Sequence, residues 1–457
     1  MNFVFYDTET TGIVQTFDQI LQFAAIMTND KFVELDRFEI RCRRLPWVVP
    51  APMAMKVTNI TPALLEDPTL PSHYEMMREI HTRLEAWSPS IFIGYNSMRF
   101  DEPLLQQAFW QALYSPYLTV TKGNSRLDIL PLVQAASHLK PDTLNYPKTG
   151  KGKIGFKLDQ LAPLNGFAHE HAHDALADVE ATIHIAKILS DGAPDLWRPA
   201  VKRTKKEATA NIVLHGAPIL VVEHFPWGPS VWFGQRLDSN SNKGSYAKLA
   251  RLDTNWRGIS SLDDNALFKA LSASPKPVRQ IALNKAPIVY AASEASAKFS
   301  ISPDEGVISQ SNFLRANPSF ADKLAIASEK VSEPWPKGEH VEQMIFDGFL
   351  SPKDEKLIDK FHRSNWKTRA ELVHLFQDQR LRQLAQRLVY VSAPELLSDR
   401  DVRKIEAAIK DRLTRDGSDP KLWRSIPAAQ RELAELDGTR EATVIGEWLD
   451  KLAERWN

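Results

Sequence analysis

The chain has 457 residues, with 57 Lys and Arg against 57 Asp and Glu, so its formal net charge is zero. Hydrophobic residues make up 43% and charged residues 25%, which is an ordinary composition for a folded protein and excludes disorder as the main state. At roughly 100–200 residues per domain, the length predicts two to four domains.

The composition also excludes a membrane protein and a disulfide-stabilised one. The single cysteine, Cys42, has no partner for an intramolecular disulfide. The apolar start meets Asp7 too early for a secretory signal, and no stretch approaches the roughly 20 apolar residues that cross a bilayer. We therefore expect a cytoplasmic protein that does not bind membranes.

The balanced charge is unevenly distributed along the chain. Residues 1–190 carry 17 basic and 21 acidic residues, whereas residues 196–257 carry ten basic residues and four acidic ones. An acidic first segment is thus followed by a basic strip between Lys202 and Arg257.

Periodicity predicts an α/β domain with a mixed sheet at the start of the chain. Three strands come first without helices between them, and helices and strands alternate afterwards. The predicted elements are strands at 3–6, 20–27 and 38–42, a helix at 74–87, a strand at 91–95, a helix beginning at Pro103 and a last helix at 174–189.

The residue pattern changes twice in the rest of the chain. The charged run 202–207 is typical of a linker or an exposed strap. Short apolar runs punctuated by Gly, Pro, Asn and Ser over 212–289 predict a β-rich, barrel-like part. From Asp354 onward Leu, Ala, Arg and Glu recur at helical spacing, which predicts a helical bundle.

Two carboxylates, Asp7 and Glu9, follow the first predicted strand on the same face. Because like charges repel, such a pair is most stable when a hard divalent cation such as Mg²⁺ lies between its oxygens. The pattern alone is weak, since a solvated strand end explains it equally well. Asp101 follows a later strand, and helix capping ahead of Pro103 is its simpler explanation.

A third acidic motif opens the last helix of the first domain. His173 precedes Asp178 by five positions, and the neighbours of Asp178 on its helix face are small, which leaves room for an ion. His169 and Asp174 have the same spacing. Asp174 is more simply a first-turn acid favoured by the helix dipole, so we prefer the pair His173 and Asp178.

Together, the ordered set of these motifs resembles the DEDDh family of exonucleases, which has an RNase H-like fold; the likeness covers residues 1–190. It includes the turn 57–62, although Asn59 stands where a Gly is usual. Within that family the chain resembles the bacterial exodeoxyribonuclease I family. The segments that carry this likeness are 22–26, 94–101, 124–126, 172–175, 284–287, 315–318 and 346–349.

The resemblance implies a layout of three domains and a metal-dependent mechanism. It implies an exonuclease domain at 1–190, an SH3-like β-barrel domain at 195–346 and a helical domain at 347–457. The residues that would hold two Mg²⁺ ions, for which Mn²⁺ can substitute, are Asp7, Glu9, Asp101 and Asp178. His173 would be the general base, and nucleoside 5′-monophosphates would leave one at a time from a 3′ end.

The resemblance also implies contacts to a single DNA strand. The substrate-binding residues it implies are Glu9, Lys157, Tyr117 and Lys206. Three positions depart from the family pattern: Lys157 and Gln106 replace arginines, and Thr121 replaces a tryptophan. Single-strand binding needs basic and aromatic side chains, and the basic strip contains both. Its tryptophans are Trp227, Trp232 and Trp256. The alternative explanation for each of them is packing in the core of the barrel.

The leading hypothesis is therefore a 3′→5′ exonuclease specific for single-stranded DNA that acts in repair and recombination. One alternative is a DEDDh exonuclease that trims RNA or proofreads, and another is a single-strand-binding scaffold with an inactive nuclease fold. The resemblance further implies a monomer, associated with the nucleoid, that binds the acidic C-terminal tail of single-stranded DNA-binding protein.

Overall fold

The fold was obtained as a computed structural model, which describes residues 1–168, 174–214, 216–225, 227–237, 244–330, 338–415, 419, 421–436 and 439–456. Within these residues ten strands are present: β1 (Asn2–Thr10), β2 (Ile20–Asn29), β3 (Glu34–Arg41), β4 (Ile91–Gly94), β5 (Ser125–Asp128), β6 (Ile219–Phe225), β7 (Gly228–Arg236), β8 (Tyr246–Arg251), β9 (Val278–Ala282) and β10 (Val289–Ala291).

The same residues form twenty α-helices. They are α1 (Pro52–Thr58), α2 (Pro62–Leu65), α3 (His73–Ala86), α4 (Asp101–Gln111), α5 (Ile129–Leu139), α6 (Leu158–Leu164), α7 (Ala175–Gly192), α8 (Pro194–Arg203), α9 (Lys206–Val213), α10 (Trp256–Ser260), α11 (Asp264–Leu271), α12 (Ala292–Phe299), α13 (Glu305–Ala316), α14 (Pro318–Lys330), α15 (Pro352–Arg363), α16 (Trp366–Val373), α17 (Gln379–Ser392), α18 (Asp399–Thr414), α19 (Ile426–Ala434) and α20 (Arg440–Trp456).

The chain divides into two compact units. The first comprises Met1–Asn124, His169–Glu180 and Pro336–Asn457, and the second comprises Ser125–Ala168 and Ala181–Trp335. Both the amino-terminal strands and the carboxy-terminal helices therefore belong to the first unit.

The first unit contains a mixed sheet. Its strands run in the order β3-β2-β1-β4. The β1–β2 and β2–β3 pairs are antiparallel, whereas β1 and β4 are parallel. Helix α3 begins with a capping box in which Ser72 and Glu75 satisfy each other's backbone N–H groups, which fixes its first turn.

The helices α15 to α20 bury their apolar faces in the first unit. Phe361, Phe376 and Leu384 share one core with Tyr6 and Phe92 of the sheet. A second core joins the proline-rich segment around residues 45–65 to helices α18, α19 and α20. The carboxy-terminal helices thus support the sheet that carries β1.

The second unit contains a five-stranded antiparallel sheet in the order β10-β6-β7-β8-β9. Its core contains Val221, Trp232 and Leu249, and Val213 of α9 packs into the same cluster. A β-rich middle is therefore present, although helices α8 to α14 surround it in the sequence. An SH3-like arrangement of these strands stays a prediction, as do the three domain boundaries.

The structure corrects the predicted linker. The run 202–207 is mainly helical, because it covers the end of α8 and the beginning of α9. Arg203 is only 3% exposed, and its guanidinium carbon lies 4.3 Å from the ring centroid of Tyr290. The charge run indicated solvent exposure, but the stem of this arginine packs in the second unit.

Among the described residues, no helix combines the length and the apolar character needed to cross a membrane.

Candidate active site

Strand β1 carries two acidic residues within its length, not beyond its end. Asp7 lies opposite Ala24 of β2 and Glu9 lies opposite Gln22. The period of two puts both carboxylates on the face that also holds the rings of Phe3 and Phe5. The strand continues to Thr10, one residue past a register shift after Glu9.

Helix α7 brings a third carboxylate to this face. Asp178 lies in the first turn of α7, and ligand oxygens of Asp7, Glu9 and Asp178 all lie within 4.8 Å of one another. Such a set of hard oxygen donors is the kind of site that holds Mg²⁺ or Ca²⁺. We call these three residues the carboxylate cluster.

A fourth carboxylate, Asp101, is held close to the cluster. Asn96 adopts the left-handed region with φ of 63°, and the chain turns there between β4 and α4. Asp101 is the first residue of α4 and is only 3% exposed. The hydroxyl of Thr8 donates a hydrogen bond of 2.6 Å to its Oδ1, so the strand between Asp7 and Glu9 orients it.

The four acids repel one another. Burial, followed by the charges of Asp101 and Asp178, raises the pKa of Asp7 well above its ordinary value. Burial, Asp178 and Asp101 likewise raise the pKa of Glu9 to about 9. A bound cation would reverse this effect, because it favours the ionised carboxylates that coordinate it. The donor set and its electrostatics therefore fit a divalent metal.

Asp174, the competing acid on the same helix, is occupied by other partners. Its Oδ2 accepts hydrogen bonds from Arg41 at 2.8 Å and from Gln22 at 3.0 Å. Its Oδ1 accepts from the backbone N–H groups of Leu176 and Ala177, so it caps α7. Asp174 thus acts as the first-turn acid that the helix dipole favours.

His173 and His169, the two candidate bases, lie outside the described residues. The assignment of His173 as the general base therefore stays a prediction.

Tyr117 lies beside a cleft of the first unit with a volume of about 830 Å³. It is 42% exposed, and its ring centroid is 6.4 Å from that of Phe346, which is 64% exposed. Phe349 lines the same cleft and is fully exposed. The hydroxyl of Thr121 donates to the backbone carbonyl of Tyr117 and so supports its position. We call Tyr117, Phe346 and Phe349 the aromatic surface.

The other predicted strand contacts lie in the second unit. Lys157 is exposed just before α6, and Lys206 is the half-buried first residue of α9. Two tryptophans of the basic strip are core residues, because Trp232 is 3% exposed and Trp256 is fully buried. Trp227 is 61% exposed, with its ring stacked on Phe225 at 4.8 Å between centroids.

Several residues that sequence patterns did not single out shape the site. Thr8 holds Asp101, and Arg41 with Gln22 holds Asp174. Glu102 accepts a hydrogen bond from Tyr6 on one oxygen and from Gln106, already noted as a departure from the family pattern, on the other. The segment 346–349 carries part of the family resemblance, but the resemblance does not identify its two Phe as exposed. The signal that could have found them is the presence of two Phe in a short segment that also contains a Gly.

Comparison with protein families places this site in a known class. A family model described as "Exonuclease" matches residues 4–186, which include all four acids. A second model, described as "Exonuclease I C-terminal domain", matches residues 339–454. The fold and the carboxylate cluster together thus define a member of the exonuclease class.

Individual proteins similar to this chain indicate which kind of exonuclease it resembles. Exodeoxyribonuclease I of Escherichia coli strain K12 is 28% identical over 411 residues, which covers 84% of this chain and 83% of the relative. The Haemophilus influenzae exodeoxyribonuclease I is also 28% identical, over 385 residues, covering 78% of each chain. The chain is therefore similar to exodeoxyribonuclease I proteins over most of its length, and it matches both the exonuclease model and the exonuclease I C-terminal model.

Solved structures show the same fold over the full chain. A crystal structure of E. coli exonuclease I in complex with a dA16 oligonucleotide aligns with a TM-score of 0.86 at 23% identity, covering 100% of both chains. The zinc-bound form of the E. coli exonuclease I–single-stranded DNA complex aligns with a TM-score of 0.84 at 22% identity, covering 100% of this chain and 99% of the other.

Proposed function

We propose that this protein is an exodeoxyribonuclease that removes nucleotides one at a time from the 3′ end of single-stranded DNA and releases nucleoside 5′-monophosphates. The observation that carries this proposal is the carboxylate cluster, with Asp101 held beside it by Thr8. The family relationship supports the choice of DNA as substrate, because the relatives in this family are exodeoxyribonucleases.

Asp7, Glu9, Asp101 and Asp178 hold two Mg²⁺ ions in this proposal, and Mn²⁺ substitutes for them. The ions, when bound, stabilise charge on the attacking and leaving oxygens of an in-line displacement at phosphorus. The raised pKa values of Asp7 and Glu9 support this assignment, since four neighbouring acids need a counter-charge to ionise together.

Other side chains take up the proton, contact the substrate and position the metal ligands. His173 takes the proton from the attacking water, because an imidazole with a reference pKa near 6.5 accepts a proton at neutral pH. Glu9 also contacts the substrate. Thr8 and Asp174 do not react: Thr8 fixes the rotamer of Asp101, and Asp174 fixes the start of α7.

The aromatic surface supplies stacking partners for bases, and Lys157 and Lys206 contact phosphates. Base–aromatic stacking does not depend strongly on sequence, so it suits an enzyme that removes every nucleotide in turn. A lysine at position 157 keeps the charge of the family arginine but loses its bidentate geometry.

One experiment distinguishes this function from the two alternatives, an RNA-trimming exonuclease and an inactive single-strand-binding scaffold. Purified protein is incubated with Mg²⁺ and equal amounts of labelled single-stranded DNA, duplex DNA and RNA of the same sequence. We expect the single-stranded DNA to be degraded at least ten times faster than the others, and EDTA to stop the reaction. Faster degradation of RNA would favour an RNA-trimming enzyme, and no degradation at all would favour an inactive scaffold.

We also propose the domain organisation, the oligomeric state, the cellular location and a protein partner of the enzyme. The three domains at 1–190, 195–346 and 347–457 act in one monomer in the cytoplasm, associated with the nucleoid, in DNA repair and recombination. The monomer also binds the acidic C-terminal tail of single-stranded DNA-binding protein. Titration with a labelled tail peptide tests this partner, and saturable binding that weakens with salt is the expected result.

A further inference from the structure

A second pocket of the first unit is lined almost entirely by basic, amide and apolar side chains. It has a volume of about 460 Å³ and lies between α17, α18 and the proline-rich segment. Its lining contains five cations, three glutamines and no carboxylate: Trp47, Met344, Gln379, Arg380, Arg382, Gln383, Gln386, Arg387, Lys404, Ile405, Ala408, Ile409 and Arg412. We call it the basic pocket.

Ion pairs neutralise only part of this charge. Arg380 is paired with Asp378 at 2.6 Å. Arg387 and Arg412 contact the same oxygen of Glu342, at 2.8 and 2.7 Å, so one carboxylate serves two guanidinium groups. Two more cations of the pocket, Arg382 and Lys404, have no carboxylate partner among the described residues. The basic pocket therefore carries a clear excess of positive charge.

The base of the pocket is rigid. Arg412 is 7% exposed, and its guanidinium carbon lies 4.6 Å from the ring centroid of Trp423 and 5.4 Å from that of Phe17. Glu342 is also buried. Groups fixed in this way lose little conformational freedom when a ligand arrives, which favours binding.

The pocket also contains unused hydrogen-bond donors. The Nε atoms of Arg382 and Arg412 are buried and have no hydrogen-bond partner among the described residues. Buried polar groups normally find a partner, so these two Nε atoms leave the guanidinium groups of Arg382 and Arg412 incompletely satisfied within the protein. Guanidinium groups bind phosphate oxygens with favourable geometry.

We propose that the basic pocket binds a nucleoside 5′-monophosphate. The phosphate contacts Arg382, Arg387 and Lys404. The base lies against the apolar side chains of Trp47 and Ile405, and the glutamine amides provide donors and acceptors for its edges. The volume falls within the usual range for small-ligand pockets, which span about 300–1,000 Å³.

Calorimetric titration of the full chain with dAMP tests this proposal. The titration is done at low salt and in EDTA, so that divalent metal at the carboxylate cluster cannot contribute. We expect saturable one-to-one binding. The variants Arg382→Gln and Lys404→Gln should each weaken it at least ten-fold, because each removes one charged phosphate contact. Arg403→Gln is the matched control, since Arg403 is exposed on α18 and does not line the pocket.

Two further ligands separate the parts of the proposal. Orthophosphate and deoxyadenosine should each bind at least ten-fold more weakly than dAMP, because each makes only half of the contacts. Equal affinity for orthophosphate and dAMP would overturn the nucleotide assignment. Absence of saturable dAMP binding, or unchanged binding by both variants with native circular dichroism, would overturn the site. None of these outcomes depends on nuclease activity, so the test is independent of the proposed function.

Discussion

At the scale of single residues, two acids on one helix have opposite environments. Asp178 faces Asp7 and Glu9 with ligand oxygens within 4.8 Å, whereas Asp174 is engaged by Arg41, Gln22 and the backbone of α7. The sequence offered both registers, and helix-dipole reasoning favoured Asp178 as the ligand. The partners of Asp174 could not be predicted, because Arg41 and Gln22 come from strands more than 130 residues earlier.

The variant pair Asp178→Asn and Asp174→Asn tests this difference. We expect Asp178→Asn to lower kcat by about a thousand-fold or more, because it removes a metal ligand whose charge contributes several kcal/mol at the transition state. Asp174→Asn should keep kcat within a few-fold, since Asn also caps helices and the lost ion pair with Arg41 is half exposed. Steady-state kinetics on a single-stranded oligonucleotide gives both values. Equal losses in the two variants would contradict the assignment.

At the scale of elements, periodicity predicted the first domain well and the middle of the chain less well. The helix predicted at 74–87 is α3 at His73–Ala86, and the strand predicted at 91–95 is β4 at Ile91–Gly94. These elements have regular apolar spacing and clear ends. The short apolar runs of 212–289 predict a β-rich part, and strands β6 to β9 lie there, but helices α10 and α11 also lie within this range.

The aromatic surface was not predictable as a unit, because its members come from residues more than 200 positions apart. Tyr117 and Phe346 meet only because α15 and its neighbours pack in the first unit. The exposure of an aromatic side chain could not be predicted from its residue type either. Trp232 and Trp256 have the same residue type as Trp227, but only Trp227 is exposed.

Removal of one ring from the aromatic surface should weaken binding of the strand. Stacking contributes about 1–3 kcal/mol per base, so Phe349→Ala should raise the Kd for a single-stranded oligonucleotide by about 5- to 150-fold. The measurement is fluorescence anisotropy in EDTA, which prevents degradation. Leu375→Ala is the control, because Leu375 is also exposed and apolar but lies outside the cleft. Equal effects of the two variants would contradict a specific role for Phe349.

A half-buried histidine joins helix α15 to α3 and to the segment that follows α4. His362 Nε2 lies 3.0 Å from the carbonyl oxygen of Leu113, and the hydroxyl of Tyr74 lies 3.0 Å from Nδ1. Nε2 must therefore carry the proton, and Nδ1 accepts from Tyr74. Burial, together with Arg369, lowers the pKa of His362 to about 4, and burial lowers the pKa of His73 to about 4 as well.

These histidines predict a loss of stability in mild acid. Well above pH 6.5, the pKa of an unperturbed histidine, they are neutral in both states and contribute no pH dependence. As the pH falls from about 6.5 to about 4, the unfolded chain takes up protons that the folded chain does not, so the free energy of unfolding decreases. Urea denaturation at several pH values measures this slope. His362→Gln should reduce the slope, whereas His138→Gln, at an exposed position, should leave it unchanged; an unaltered slope in His362→Gln would contradict the assignment.

At the scale of the whole molecule, zero net charge conceals separate charged sites. The first unit contains both the carboxylate cluster and the basic pocket, and each gathers one sign of charge. The segment counts predict an acidic start and a basic strip, but the basic pocket lies mainly in the helical part, where residues 346–457 carry 21 basic and 20 acidic residues. Net charge averages such sites away, so it says little about which ions or strands a protein binds.

Metal binding should stabilise the folded protein. Ligand that binds only the folded state adds about 2.7 kcal/mol at a concentration one hundred times its Kd. We therefore expect saturating Mg²⁺ to raise the melting temperature by several degrees over that in EDTA, and Asp178→Asn to lose most of this shift. Differential scanning fluorimetry provides the measurement. A full shift in Asp178→Asn would show that the ion binds elsewhere.

The most direct test of the central claim follows the products of one reaction over time. A single-stranded oligonucleotide labelled at its 5′ end is incubated with the protein and Mg²⁺, and the released nucleotides are separated by chromatography. We expect labelled strands that shorten from the 3′ end while nucleoside 5′-monophosphates accumulate. Early release of the labelled 5′ nucleotide, or accumulation of 3′-monophosphates, would contradict it.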